Sequence, residues 1–465
     1  MTATRKILFY NWCPIASSEG GGVALYIRNV VSALAEQDSI TPVFLNSGFY
    51  YDNSKRGPYI RKSSEPVWKG CECYDLVNSP VIAPMRSPAE NIDAFVHDET
   101  LLPMFKKFLA AHSIDVVHFN NFEGLSLSCL RAKDSLPDIR FVYSIHNYTL
   151  FCPAVNLWTS EGTNCFGAST KNCARCMARY SMPSVEAKRR FRMRTNPALY
   201  FLGRAETHAL NAVAWSTRRK VYSDAEHVAL FNEYRFKQVE SINRYFDAVL
   251  AVSKRVAEIA KSCGIDERIL HVEYIGTRFA SSQVEAGKPS EGDVLNLIYM
   301  GYMRSEKGYP FLIEALEGLP DEILGKISLT VAAKLTDYST YRKMNRLRGR
   351  LANLRYYNGY SHDQLSEIVS GQDLGVVPVL WEDNLPQIAV ELASMGIPVL
   401  ASSFGGASEL TESDLFRFAG GDVHALRDSI AAFVKDKSLL ADYWLKRMRL
   451  VTMDEHVQRL LGYYA

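Results

Sequence analysis

Residues 6–10 (Lys6-Ile-Leu-Phe-Tyr10) form a short apolar run, residues 11–22 are rich in turn formers, and residues 23–34 carry apolar side chains at helical spacing. This succession of strand, loop and helix recurs at residues 41–45, at 115–119 followed by 125–130, at 141–146, and at 248–253 followed by 256–260. Parallel strands need crossovers long enough to hold a helix, so the alternation predicts a mainly parallel sheet covered on both faces. Residues 281–293 are polar with almost nothing to bury and read as a linker. Beyond them the alternation restarts, with strands at 295–301, 327–332, 354–357, 374–380 and 397–401. The expected fold is therefore α/β, with two doubly wound domains in tandem. The first spans 1–280 with an irregular insertion over 152–220, the second spans 294–445, and a closing helical stretch over 446–465 packs back on the first. Open sheets of this kind bind ligands outside the carboxyl ends of their strands, which places one cleft between the domains.

The length of 465 residues suits two or more domains, and 47% hydrophobic against 22% charged residues excludes wholesale disorder. Lys plus Arg number 53 against 51 for Asp plus Glu, so a net charge of +2 leaves any electrostatic partner to a local patch. No apolar run reaches the ~20 residues that span a bilayer, and the first residues lack a secretory apolar segment, so a cytoplasmic protein is expected.

The chemistry-bearing residues fall in loops after strands. Gly20, Gly21 and Gly22 open a helix, where bare backbone N–H groups meet a phosphate or sugar hydroxyl, or simply make a turn. Lys307 lies six positions after Gly301, at the end of a strand, and is a point charge for a diphosphate or a solvated side chain. Residues 377–401 hold adjacent acids Glu382 and Asp383, then Asn384, Leu385 and Pro386, and a helix starting near that proline. Orphan N–H groups at such a start hold a departing phosphate, and Glu391, about one and a half turns on, points to the same cleft. A loop carboxylate and a helix carboxylate suit the hydroxyls of a sugar and a ribose. No Asp-x-Asp pair occurs, so no catalytic divalent metal is expected.

Two further features lie in the insertion. Cys152, Cys165, Cys173 and Cys176 include a Cys-x-x-Cys pair, half of a tetrahedral zinc site; a structural zinc, free thiols and a redox pair all remain open. From Lys188 to Lys220 nine basic residues meet a single acid, Glu206, with aromatic residues interleaved. That composition suits an anionic lipid surface, a lipid diphosphate, single-stranded nucleic acid or a solvated helical face.

Taken together, Gly20 to Val23, Ser144-Ile-His-Asn147, Ala251-Val-Ser253, residues 300–308, the Asp383 to Glu391 segment and residues 403–409 resemble the retaining glycosyltransferases of family 4. Those enzymes have the GT-B fold of two Rossmann-like domains facing one cleft, and the chain is most similar to members that build bacterial capsule or O-antigen polysaccharide. The resemblance implies a metal-independent transfer from a nucleoside diphosphate sugar to a glycan or lipid-linked oligosaccharide, at the cytoplasmic face of the inner membrane, with no nucleic acid partner. It implies that Glu391 holds the ribose and that Asp383 or Glu382 meets the donor sugar. Lys307, with Arg304 standing in for an arginine where this chain has Tyr302, binds the diphosphate. His146 lies near the donor sugar, with Asn147 replacing an aspartate, and Gly21 and Gly22 close the cleft. The competing readings are a sugar-nucleotide epimerase on the same fold and a zinc-stabilised, non-catalytic protein that binds glycan or lipid.

Overall fold

The structure, a computed structural model, describes residues 4–17, 20–52, 54–55, 57–64, 68, 70–83, 89–165, 170–177, 224–280 and 284–465. Two separate sheets organise them. The strands of the first are β1 (Arg5–Asn11), β2 (Ile40–Tyr50), β3 (Tyr59–Lys62), β4 (Glu72–Val77), β5 (Val116–Phe119), β6 (Arg140–Ile145), β7 (Ala248–Ala251) and β8 (Leu270–Val272). They are ordered β3-β4-β2-β1-β5-β6-β7-β8, all parallel except the β3–β4 pair. The second contains β9 (Leu295–Tyr302), β10 (Ile327–Lys334), β11 (Asn353–Tyr357), β12 (Leu374–Val377), β13 (Val399–Ser402) and β14 (Arg417–Phe418). Its order is β11-β10-β9-β12-β13-β14, entirely parallel.

The central strands are buried on both faces, which is why they read as unbroken apolar runs: Ile7, Leu8, Phe9 and Tyr10 in β1, and Leu295, Leu297 and Ile298 in β9, have no exposed surface. Helix α1 (Gly21–Leu34) lays Tyr26, Ile27, Val30, Val31 and Leu34 on the first sheet. Its approach requires Gly20, since a Cβ there would stand 2.4 Å from the Cβ of Ala24 and 2.6 Å from the Sγ of Cys13. The insertion contributes helix α2 (Thr170–Met177), and helix α3 (Asp224–Tyr245) follows it. After β7 comes α4 (Lys254–Ser262), and α5 (Tyr309–Glu317) and α6 (Gln387–Ser394) follow β9 and β12.

Part of the polar linker is fixed to the second domain. Ser290 donates its N–H (2.6 Å) and its hydroxyl (2.7 Å) to the buried Asp373, and Lys437 Nζ donates to the Ser290 carbonyl at 2.6 Å. The chain then returns to the first domain through α7 (Met453–Tyr464), which starts in a capping box of Thr452 and Glu455. It packs on α1 and β6, burying His456, Val457, Leu460 and Tyr464. Tyr26 and His456 share a hydrogen bond of 2.8 Å, as do Tyr464 and His118 at 2.6 Å, so the last helix is polar-bonded into the core of the first domain. Among the described residues no helix is long and apolar enough to cross a membrane. The basic stretch from Lys188 to Lys220 lies outside the described residues.

Candidate functional site

The loop between β12 and α6 is the centre of the site. Trp381, Glu382, Asp383, Asn384 and Leu385 are all buried. Pro386 is the N-cap of α6, with no acid in the first turn of the helix, and no side chain caps its positive end. Lys307, from the loop after β9, places Nζ 2.6 Å from Asp383 Oδ2 and 4.9 Å from the centre of the Trp381 ring. Arg304 sits 5.1 Å over the ring of Tyr302 and 3.7 Å from Glu306, more than half exposed, and is less tightly held than Lys307.

The two adjacent acids have different partners. Glu382 accepts a forked pair of hydrogen bonds from Arg255 on α4, at 2.9 and 2.7 Å, and a third from the Gly405 N–H at 3.1 Å. That contact holds the Arg255 guanidinium well above its ordinary pKa. Glu382 thus ties the loop between β12 and α6 to the first domain, and Asp383, one residue on, is the acid that faces Lys307. Gly405 permits this packing: its φ is +75°, and a Cβ would fall 2.0 Å from the Asp383 carbonyl oxygen.

Other bonds cross between the domains at the same place. Ser253 caps α4 and donates to the Asn384 carbonyl at 2.8 Å, while Asn384 Nδ2 donates to the Ile145 carbonyl at 3.3 Å. Glu409 accepts the backbone N–H groups of Lys254 (2.9 Å) and Arg255 (2.7 Å), a carboxylate of one domain on a helix start of the other. Removing the fork with Arg255→Ala leaves Glu382 buried beside an empty position. Because the arginine is itself 40% exposed, the expected loss is about 2–3 kcal/mol, read as a lower urea midpoint; lysine, which cannot make the fork, should recover less than half of it.

On the first domain His146 follows β6 directly, next to the Ile145 carbonyl that Asn384 reaches. Its ring lies 4.5 Å from Tyr26. Burial, helped by the nearby His456, pushes its pKa down to about 3, so it works as a neutral imidazole. Asn147 donates to Glu123 (3.1 Å) and accepts from the backbone and hydroxyl of Thr149 (3.2 and 2.8 Å), a turn-forming role that needs an amide. Across the cleft, a Cβ on Gly21 would stand 3.8 Å from the Tyr302 hydroxyl, and one on Gly22 3.5 Å from Gln387 Oε1. The glycine loop therefore faces the start of α6.

Glu391 is buried on the second turn of α6. Burial pushes its carboxyl up to about 8, opposed by the Arg278 guanidinium, and its charge in turn helps raise the pKa of Tyr360. The structure brings His146, Gly21, Gly22, Lys307, Asp383, Asn384, Leu385, Pro386 and Glu391 to the region where the two domains meet. Four buried polar atoms there have no hydrogen-bond partner: His146 Nε2, Trp381 Nε1, Asn384 Oδ1 and Gln387 Oε1. Such atoms are costly to bury and call for a polar ligand or water. Sequence reading missed Arg255, Gln387, Trp381 and Arg278. Trp381 and Gln387 flank residues that the motif singles out, whereas the partners of Arg255 and Arg278 lie far away in sequence. The four insertion cysteines lie apart from this set and line a cavity of their own.

Residues 283–449 match the family described as glycosyl transferases group 1. No curated protein matches the chain in sequence. Among solved structures, Alr3699/HepE from Anabaena in complex with UDP is 16% identical over 98% of both chains, with a TM-score of 0.56. Sucrose-phosphate synthase from Thermosynechococcus elongatus is 14% identical over 99% of this chain and 95% of its own, with a TM-score of 0.55. A glycosyltransferase from Rickettsia africae is 12% identical over 99% and 98%, also with a TM-score of 0.55. At such identities the likeness is one of fold. The chain has the GT-B fold of these proteins, two Rossmann-like domains, and its second domain carries the match to the group 1 glycosyl transferases.

Proposed function

We propose that this protein is a retaining glycosyltransferase of family 4, which transfers a sugar from a nucleoside diphosphate donor to a growing, lipid-linked glycan of a surface polysaccharide. The observation that carries the reading is the meeting of Lys307, the uncapped start of α6 and Glu391 on one wall of a cleft, with His146 and the glycine loop on the other. A departing diphosphate needs positive charge where negative charge develops, and Lys307 and the helix start supply it. To do so Lys307 exchanges Asp383 for the phosphate. The freed Asp383 then accepts hydrogen bonds from the donor sugar, Glu391 takes the ribose hydroxyls, and neutral His146 hydrogen-bonds the sugar from the opposite domain. With charge supplied in this way, the reading assigns no catalytic metal.

The acceptor enters from the first domain, and the interdomain bonds of Arg255, Ser253 and Asn384 hold the closed form that excludes water. We place the protein at the cytoplasmic face of the membrane, where the basic stretch 188–220 would meet anionic lipid. UDP is the first nucleotide to try, because it is bound in the Anabaena structure. In EDTA, UDP should raise the melting temperature by several degrees, by mass action on the folded state, and UDP-sugar should release UDP only when a lipid-linked glycan extract is added. Isomerised donor without any acceptor would favour epimerase chemistry. Absence of stabilisation by any nucleoside diphosphate or sugar nucleotide would contradict the reading.

A further inference from the structure

The segment after β6 buries Tyr148, Leu150, Phe151, Val155 and Leu157 in the core, but the hairpin that follows them is polar. Trp158 and Asn164 pair as an antiparallel bridge, closed by Thr159 accepting from Gly162 (3.0 Å) and bonding the Thr163 carbonyl (2.8 Å). The arm between them is Thr-Ser-Glu-Gly-Thr, with no apolar side chain to bury. Small units without a core of their own are usually stapled by disulfides or metals. Cys152 precedes this hairpin and Cys165 ends it, while Cys173 and Cys176 lie three residues apart on α2 and so share one face of that helix. All four line a single cavity of about 340 Å³.

The surroundings are those of sulfur ligands. Cys176 Sγ accepts the Ser160 backbone N–H at 3.2 Å, and Cys173 Sγ accepts the guanidinium of Arg235, which also donates to the Phe151 carbonyl at 3.1 Å. Donors of this kind orient thiolates and offset their charge around a bound ion. Asn164 also lines the cavity, is only 8% exposed, and has neither end of its amide bonded. Its N–H₂ is a further donor for a thiolate.

We propose that Cys152, Cys165, Cys173 and Cys176 bind one zinc ion that staples the hairpin to α2. Four thiolates fill a tetrahedral shell with no open position, which selects zinc and makes the site structural. Binding sends the thiol protons to solvent and changes no oxidation state. Among the described residues no three His, Cys, Asp or Glu side chains already stand where they could hold an ion. Zinc binding therefore requires the four thiols to draw together, as in metal sites whose binding is coupled to folding. The hairpin lies on the segment that leaves β6, so the staple anchors the far end of the stretch that begins at His146.

The test is metal analysis of the full chain purified without chelator or added metal, and its outcome is independent of any transferase activity. About one zinc per chain is expected in the wild type and in the control Cys263→Ser, and near none in Cys173→Ser/Cys176→Ser. Exchange with Co²⁺ should give the thiolate-to-cobalt charge-transfer band and tetrahedral d–d absorption, which keeps the proposal testable if the double variant does not fold. Three results would overturn it: iron in place of zinc, a disulfide among the four cysteines, or a metal-free protein that takes up no zinc after incubation with excess Zn²⁺ and gel filtration.

Discussion

Lys307→Ala should lower transfer from a nucleoside diphosphate sugar by about 10²–10³-fold, the scale seen when one preorganised electrostatic group is removed from a transition state. The same substitution should abolish most of the thermal stabilisation by UDP. It also strands Asp383, which is buried and loses a 2.6 Å ion pair, so a loss of about 1–3 kcal/mol of stability is expected. A second substitution separates these effects. Lys307→Ala/Asp383→Asn removes the stranded charge and should recover stability while leaving UDP binding and turnover as poor as in the single variant. If the double variant recovered both, Lys307 would be a structural partner of Asp383 and not a phosphate ligand.

Glu391→Gln should change how stability depends on pH. The carboxyl has an ordinary value of 4.5 and is pushed up to about 8 by burial in the folded chain. Between those values the folded state binds more protons than the unfolded state, so the wild type loses stability as pH rises. The contribution is fully present below about 4.5 and gone above about 8, on the order of 5 kcal/mol over that window. Glutamine is neutral throughout and nearly the same shape. Urea midpoints of the two proteins should therefore agree near pH 5, and the variant should be the more stable near pH 8.5. Equal slopes would show that the carboxyl is ionised in the folded chain. In a glycosyltransferase the variant should also bind UDP more weakly, most clearly at high pH, where the wild-type carboxylate is ionised and accepts both ribose hydroxyls.

Much of the fold is legible in the chain because buried parallel strands leave unbroken apolar runs. The strands expected at 6–10, 41–45 and 295–301 fall within β1, β2 and β9, and the one expected at 115–119 starts one residue before β5. The run at 125–130 gives a 3-10 helix over Leu127–Asp134 in place of an α-helix. Strands β3, β4, β8 and β14 were not legible. Glu72–Val77 carries an acid at each end of its apolar stretch, Tyr59–Lys62 is a polar edge, and the other two are only two or three residues long. These gain their conformation from neighbours and not from their own pattern.

The candidate site shows the same division. Lys307, Asp383, Pro386 and Glu391 stand out because a strand end, a loop and a helix start follow one another within a few residues. Arg255 did not, since its partner Glu382 is 127 positions away and only the folding of two domains brings them together. That pairing gives the two loop acids different partners, a difference that sequence spacing does not show. Ala251-Val-Ser253 and residues 403–409 entered the resemblance as motifs without a stated role. In the fold their Ser253 and Glu409 clasp the two domains at the mouth of the cleft.

The most direct measurement is a crystal structure of the full chain soaked with UDP in the presence of EDTA. The account predicts the diphosphate within hydrogen-bond reach of Lys307 and the first N–H groups of α6, the ribose on Glu391, and the Lys307–Asp383 ion pair opened. A nucleotide bound elsewhere, or one that leaves that ion pair closed, would contradict it.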